Sequence, residues 1–350
     1  MIVERIHRFV GAPAEADFRA LALDAFAYQF ARIAPYRAMC ERASRTPGTV
    51  ESWREVPMIP ATAFASMELV TAEAKEVFRS SGTLAGATNE QSVHRHPFPE
   101  LYRAVIDATF PRHVLPAGDQ RPLLSLVPPR AVVSDSSLGF MVDHVMSHYG
   151  GPESLYACGA RGVEGGKARS WLNASQREGR PVAILTTSYA LADLLDFIGR
   201  IDLKFRLPAG SVVMETGGFK GRTKEISRNE IRERLTTRLG IGADAVVAEY
   251  GMTELTSQAY TRTLFDGDPD LFVPPPWMKV RALDPLTLAE LPNGTVGLLA
   301  FFDLANVGSA LHLLTEDLGS TEPGGFRLAG RAPEAALRGC SLLAEELAGR

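Results

Sequence analysis

Two spacings of apolar residues alternate along this chain. Over residues 14–45, Phe18, Leu21, Ala25, Phe26 and Phe30 recur near a helical period, which predicts helix. From residue 122 onward, short apolar runs of strand length take turns with helical patterns. The strand-like runs fall at 122–127, 181–186, 211–215 and 245–250, and the helical patterns at 136–148, 189–199 and 231–239. Such alternation argues for a parallel sheet with helices packed on its faces.

One helix start is chemically marked. Ser227-Arg-Asn-Glu230 is a capping-box sequence, and Gly240 suits the helix end. Residues 211–250 therefore read as strand, loop, capped helix, strand. A crossover of this kind is right-handed in nearly every case and leaves its two strands parallel. Their carboxyl ends then share one edge, which is where open α/β sheets bind ligands. Thr216-Gly217-Gly218 and Tyr250-Gly251-Met252-Thr253-Glu254 fall on that edge, with Thr186-Thr187-Ser188 beside them.

Composition narrows the class. With 350 residues and 45% hydrophobic content, the chain can bury a sizeable core as one large domain or two unequal ones. The net charge is -4 and Lys and Arg are scattered, so no nucleic-acid surface is expected. The start, MIVERIHRFVGAPAEADF, carries charges at Glu4, Arg5 and Arg8 and does not read as a signal peptide. No apolar stretch reaches the length of a membrane span. Cys40, Cys158 and Cys340 are few and far apart. That argues against a disulfide framework or a local zinc site, and for a reducing, cytoplasmic setting.

Two further stretches have the chemistry of phosphate and sugar contact. Arg79-Ser80-Ser81-Gly82-Thr83-Leu84-Ala85-Gly86 can aim hydroxyls and backbone N–H groups at phosphate oxygens. Later, Leu314-Thr315-Glu316-Asp317-Leu318-Gly319 precedes Gly330-Arg331. A carboxylate such as Asp317 can accept from two vicinal ribose hydroxyls, and an arginine can donate to ribose or phosphate.

In this order the pieces resemble the motif series of adenylate-forming enzymes, which include acyl- and aryl-CoA ligases and peptide-synthetase adenylation domains. Among these the chain is most similar to acyl-protein synthetase, the fatty-acid-activating subunit of the bacterial bioluminescence reductase. The strings that carry this choice are Asp135-Ser-Ser-Leu-Gly-Phe-Met141, Glu215-Thr-Gly-Gly-Phe-Lys220-Gly221, Tyr250-Gly-Met-Thr-Glu254 with Leu255-Thr-Ser-Gln258, and Arg338-Gly-Cys340-Ser-Leu342. The resemblance covers roughly residues 50–345. It implies an α/β fold: an adenylation domain over 1–335, with parallel sheets flanked by helices and a β-rich part around 270–335. A short tail, 336–350, would stand in place of the mobile lid domain of roughly one hundred residues.

The same resemblance implies roles. Ser80, Ser81, Gly82 and Thr83 would clamp the phosphates of ATP. Gly217 and Gly218 would let adenine lie against the backbone, and Tyr250, followed by Gly251, would stack on the base. Thr253 would hold the α-phosphate, and Glu254 would bind Mg²⁺, a hard cation that takes oxygen ligands. Asp317 would hold the ribose with Arg331 beside it. Cys340 would accept the acyl group from the adenylate before passing it to an acyl-accepting protein, a reductase or a carrier; its alternative is a small buried residue. The acid itself is expected to be a fatty acid.

Departures from the pattern are visible. Leu84 and Thr88-Asn89 stand near the places of a second threonine and a lysine in the phosphate loop, and Lys220 is the candidate to supply that charge. The usual Thr-Gly-Asp is Thr315-Glu316-Asp317. Alternatives to the protein-thiol reading are a CoA ligase of the phenylacetate type and an inert nucleotide-binding subunit. His144 and His148 read as structural, and His94-Arg95-His96 as an exposed loop or strand near phosphate. Gly162-Val-Glu-Gly-Gly-Lys167-Ala168 lacks the first glycine and the hydroxyl of a phosphate-binding loop.

Overall fold

The computed structural model describes residues 1–80, 91–217 and 227–332. Three helices open the chain: α1 (Ile2–Gly11), α2 (Glu15–Arg32) and α3 (Ala34–Arg42). The expected continuous helix over 14–45 is thus two. Pro35 enters at the start of α3, and Ile33 is extended at φ -100° and ψ 95°. Pro35 has no N–H to bond back to the Ala31 carbonyl, and its ring crowds that carbonyl. A continuous helix therefore cannot run through it, whereas a proline is tolerated in the first turn of a new one. The helix α1 lay outside the expectation, though Ile6, Phe9 and Val10 give it a buried face.

Next come β1 (Ile59–Pro60), α4 (Ala63–Ser66), the antiparallel pair β2 (Glu76–Arg79) and β3 (Val93–His96), and α5 (Pro99–Val114). The middle of the chain then runs β4 (Leu123–Ser125), α6 (Ser137–Tyr149), β5 (Leu155–Tyr156), a small antiparallel pair β6 (Cys158–Gly159) and β7 (Gly162–Val163), α7 (Gly165–Glu178), β8 (Ala183–Thr187), α8 (Ser188–Arg200), β9 (Val212–Thr216), α9 (Arg228–Leu239) and β10 (Val246–Tyr250). The apolar runs predict this alternation except for β5, β6, β7 and α7, which lay outside the expectation. Among the described residues six strands follow: β11 (Ala259–Thr261), β12 (Phe272–Val273), β13 (Met278–Leu283), β14 (Gly297–Asp303), β15 (His312–Glu322) and β16 (Gly325–Arg331).

Two compact units result. One is formed by Thr109–Gly251 with Ala259–Phe272. Its sheet runs β11-β10-β9-β8-β4-β5, parallel throughout except for β11. Strands covered on both faces read as continuous apolar runs, and Ile184, Val213 and Val246 join Leu191, Leu195 and Leu235 of the helices in one core. Side chains fix the helix starts. Ser136 accepts from the Gly139 N–H at 3.0 Å, Thr187 from Ala190 at 3.1 Å and Ser227 from Glu230 at 3.1 Å. Gly240, at φ 71°, closes α9 as expected.

The other unit gathers three stretches: Met1–Ala108, Met252–Gln258 and Val273–Arg350. Its antiparallel strands β13-β14-β15-β16 are extended by β1, which pairs in parallel with β15, Ile59 against Leu313. Every residue of β14 is buried, so that strand lacks the in-out alternation of a half-covered sheet. Among the described residues no helix is long and apolar enough to cross a membrane.

Candidate active site

In the parallel-sheet unit the strand ends lie in register. Thr187 pairs with Thr216 and Thr216 with Glu249, so Gly217 and Tyr250 follow side by side at the carboxyl edge. Gly217 sits at φ 75°, a left-handed backbone that a side chain rarely tolerates. The Ser188 hydroxyl donates to its carbonyl at 2.9 Å and lies 3.4 Å from the Glu215 carboxylate. The Thr216 hydroxyl donates to the Glu249 carboxylate. Tyr250 is buried, with Phe272 edge-on at 6.1 Å. Burial pushes the Glu215 carboxyl above its ordinary range, and Arg228 and Arg232 pull it partly back.

The other unit carries the remaining described candidates. Ser80 prolongs the β2–β3 ladder: its N–H donates to the Ser92 carbonyl at 3.1 Å, and its hydroxyl accepts from the Ser92 N–H at 3.0 Å. On the same strand, His94 and His96 are buried, contrary to the exposed loop or strand expected of them. Polar rings can be buried there because each finds a partner in the segment 253–256. His94 Nδ1 donates to the Thr253 carbonyl at 2.7 Å, and His96 Nε2 lies 3.0 Å from the Thr256 hydroxyl.

Around Thr253 and Glu254 the polar groups are closely matched. Asn306 donates to the Glu254 carbonyl at 2.8 Å and to the Ala310 carbonyl at 2.7 Å, while its own oxygen accepts from Thr256 at 2.9 Å. The Asp303 carboxylate accepts from the N–H groups of Thr256 and Ser257 and from the Ser257 hydroxyl, at 3.2, 2.8 and 2.7 Å. Burial nevertheless raises Asp303 to about 6, because its donors only partly replace water.

Asp317 and Arg331 face each other across β15 and β16, with Arg331 Nε 3.3 Å from Asp317 Oδ1 and Nη1 3.7 Å from Glu316. The Thr315 hydroxyl accepts from the Asp317 N–H at 3.2 Å and donates to the Leu299 carbonyl at 2.8 Å. Ser81, Gly82, Thr83, Gly218, Lys220 and Cys340 lie outside the described residues. Residue reasoning missed Asp303 and Asn306. The signal was present: they are a carboxylate that closes β14 after its six apolar residues and an amide in the short turn Leu304–Gly308 that follows.

No group of three His, Cys, Asp or Glu side chains among the described residues would by itself hold a metal ion. A lone carboxylate fits Mg²⁺ that arrives on nucleotide phosphates, since Mg²⁺ commonly takes one or two carboxylates and keeps phosphate and water for the rest.

Comparison with known proteins completes the picture. The sequence model of the family described as "Acyl-protein synthetase, LuxE" matches residues 163–348, more than half of the chain. The chain belongs to that family. A relative, the long-chain-fatty-acid--luciferin-component ligase of Vibrio harveyi, is 23% identical over 304 residues, covering 84% of this chain and 76% of that protein. Among solved structures, an open conformation of 2-hydroxyisobutyryl-CoA ligase in complex with 2-HIB-AMP and CoA superposes with TM-score 0.66 at 16% identity, over 91% of this chain and 79% of that one. ATP-bound MatB from Rhodopseudomonas palustris gives TM-score 0.51 at 17% identity, over 82% of this chain and 54% of that one. The fold is that of the adenylate-forming ligases, as expected. Membership of the acyl-protein synthetase family makes this chain an ATP-using ligase that activates an acid as its acyl adenylate.

Proposed function

We propose that this chain activates a long-chain fatty acid with ATP and Mg²⁺ and then delivers the acyl group to a protein thiol. One arrangement supports the reading beyond family membership: Gly217 and Tyr250 end adjoining parallel strands, and Thr253 and Glu254 follow at once in the sequence. In this reading a substrate carboxylate oxygen attacks the α-phosphorus of ATP. The bond from that phosphorus to the bridging oxygen breaks, and pyrophosphate leaves. Ser80 to Thr83 and Lys220 hold phosphate oxygens, Gly217, Gly218 and Gly251 give the base room, and Tyr250 stacks on it. Thr253 donates to the α-phosphate, and Asp317 accepts from the ribose hydroxyls with Arg331 beside it. Glu254 holds Mg²⁺, which when bound offsets charge gathering on the phosphates. Most of the rate in such a step comes from positioning and charge neutralisation.

In the second step the Cys340 thiolate attacks the acyl carbonyl, the thioester forms and AMP departs with the bonding pair. A reductase or carrier protein then takes the acyl group. The deciding experiment is ATP–pyrophosphate exchange across a panel of carboxylic acids, with and without CoA. Exchange that peaks with long-chain acids and needs no CoA is the expected result. No acid-dependent exchange, or a product that is stoichiometric acyl-CoA, would falsify the reading.

A further inference from the structure

The buried polar cluster on β3 and the turn after β14 bears on one residue in particular. Two soft dihedrals, φ and ψ, set the direction in which the Glu254 side chain leaves the backbone, and they lie between two rigid peptide planes. The first plane carries the Thr253 carbonyl, which accepts from His94 Nδ1 at 2.7 Å. The second carries the Glu254 carbonyl, which accepts from Asn306 Nδ2 at 2.8 Å. Both planes are therefore tied to separate elements of the same unit. Just beyond, the N–H groups of Thr256 and Ser257 are tied to Asp303.

Hydrogen bonding also fixes the His94 ring. A carbonyl can only accept, so Nδ1 carries the proton, and Nε2 is a buried lone pair with no hydrogen-bond partner. Phe64 and Phe78 stand edge-on to the ring at 5.4 and 6.4 Å, which leaves it little freedom to turn. A loop carbonyl served by a buried imidazole, whose other nitrogen goes unmatched, is a costly arrangement where water would do.

We propose that His94 is a positioning residue for adenylation: by holding the Thr253 carbonyl, opposite Asn306 on the Glu254 carbonyl, it fixes the direction of the Glu254 carboxylate toward Mg²⁺. The proposal rests on the functional reading above. His94 itself touches no substrate; it acts through the backbone of Glu254.

Three forms of the full chain test it: the parent, His94→Leu, which removes the donor, and His94→Asn, whose amide nitrogen stands where Nδ1 was. The readouts are acid-dependent pyrophosphate exchange and its half-saturating Mg²⁺. His94→Leu is expected to lose between about tenfold and a hundredfold in turnover and to need more Mg²⁺, with the apparent KM for the acid little changed. His94→Asn should return both readouts to within about threefold of the parent, a single replaced hydrogen bond. An unaffected His94→Leu, equal losses in both variants, or lost turnover at unchanged Mg²⁺ demand would each reduce His94 to packing. Should His94→Leu fail to fold, ring ¹⁵N spectra of the parent decide alongside His94→Asn: an Nδ1–H tautomer at His94 upholds the proposal and an Nε2–H tautomer overturns it. A parent without acid-dependent exchange sinks the functional reading, and this inference with it.

Discussion

Acidification should destabilise this chain well before ordinary acid denaturation, and the cause is in the unit that carries Glu254. His94 and His312 are buried to within 1% of completely, and each has one ring nitrogen on a carbonyl and the other with no hydrogen-bond partner. Burial lowers His94 to about 4 and His312 to about 3. His96 is likewise held well below its ordinary value, by burial and then by His94. Unfolded histidine protonates near 6.5. Below that pH the unfolded chain takes up protons that the folded chain refuses, so stability is whole above about 6.5 and is lost as the pH falls. Between pH 7 and pH 5, each of His94 and His312 removes about 2 kcal/mol. Asp303 works in the opposite sense. Raised to about 6, it is favoured by protonation over that same interval and returns about 1 kcal/mol. These three groups together remove about 3 kcal/mol, or roughly 10 °C of melting temperature for a unit of this size, and His96 adds in the same direction. Scanning calorimetry at the two pH values measures it. A melting temperature at pH 5 within 2–3 °C of that at pH 7, too small a shift for about 3 kcal/mol, would refute the reasoning, as would NMR titration of His94 near 6.5.

The remaining predictions concern the proposed chemistry. Glu254→Gln should keep the fold, because its backbone carbonyl bond to Asn306 survives, yet cut exchange by on the order of 10²–10³; activity within threefold of the parent, measured by pyrophosphate exchange, removes Glu254 from the metal. Asp317→Ala should raise the apparent KM for ATP about tenfold or more, the worth of a hydrogen bond to a charged group; an unchanged KM for ATP refutes the ribose role. Cys340→Ser should retain exchange and lose a hydroxylamine-sensitive acyl adduct seen by intact-protein mass, since a hydroxyl without a base is a poor nucleophile. An adduct on the serine variant, or none on the parent, takes the acyl group elsewhere.

What was legible in the sequence follows from how far apart the cooperating residues lie. The alternation from β8 to β10 could be read locally, because buried parallel strands are plain apolar runs and their helices begin at Thr187 and Ser227 and end at Gly240. The break at Ile33 was also signalled, by Pro35, but the hydrophobic period runs through it and hid it. His94 and His96 were harder. Their polarity argues for exposure, and what buries them is a pair of partners in the segment 253–256, far along the chain. Asp303 and Asn306 became meaningful only once β14 and the loop after Gly251 were placed together in one unit. For Gly217 and Tyr250 the reverse holds: a crossover rule and two apolar runs put them on one edge before any contact was known.

The three-part make-up of one unit also bears on how the protein is born. Gln29 of α2 donates to the carbonyls of Asn306 and Val307 and accepts from the Leu311 N–H, and β1 has its partner in Leu313 and Leu314. During synthesis, then, residues 1–108 are made well before their partners at 306–314, and they wait while the parallel-sheet unit is synthesised. That unit, contiguous over Thr109–Gly251 for most of its length, can condense first. The N-terminal stretch should therefore stay protease-sensitive until the later strands are made, and slow, long-range closure should set the refolding rate. A fragment of residues 1–108 made alone should be proteolysed rapidly; a protease-resistant, cooperatively melting fragment would contradict this order of assembly.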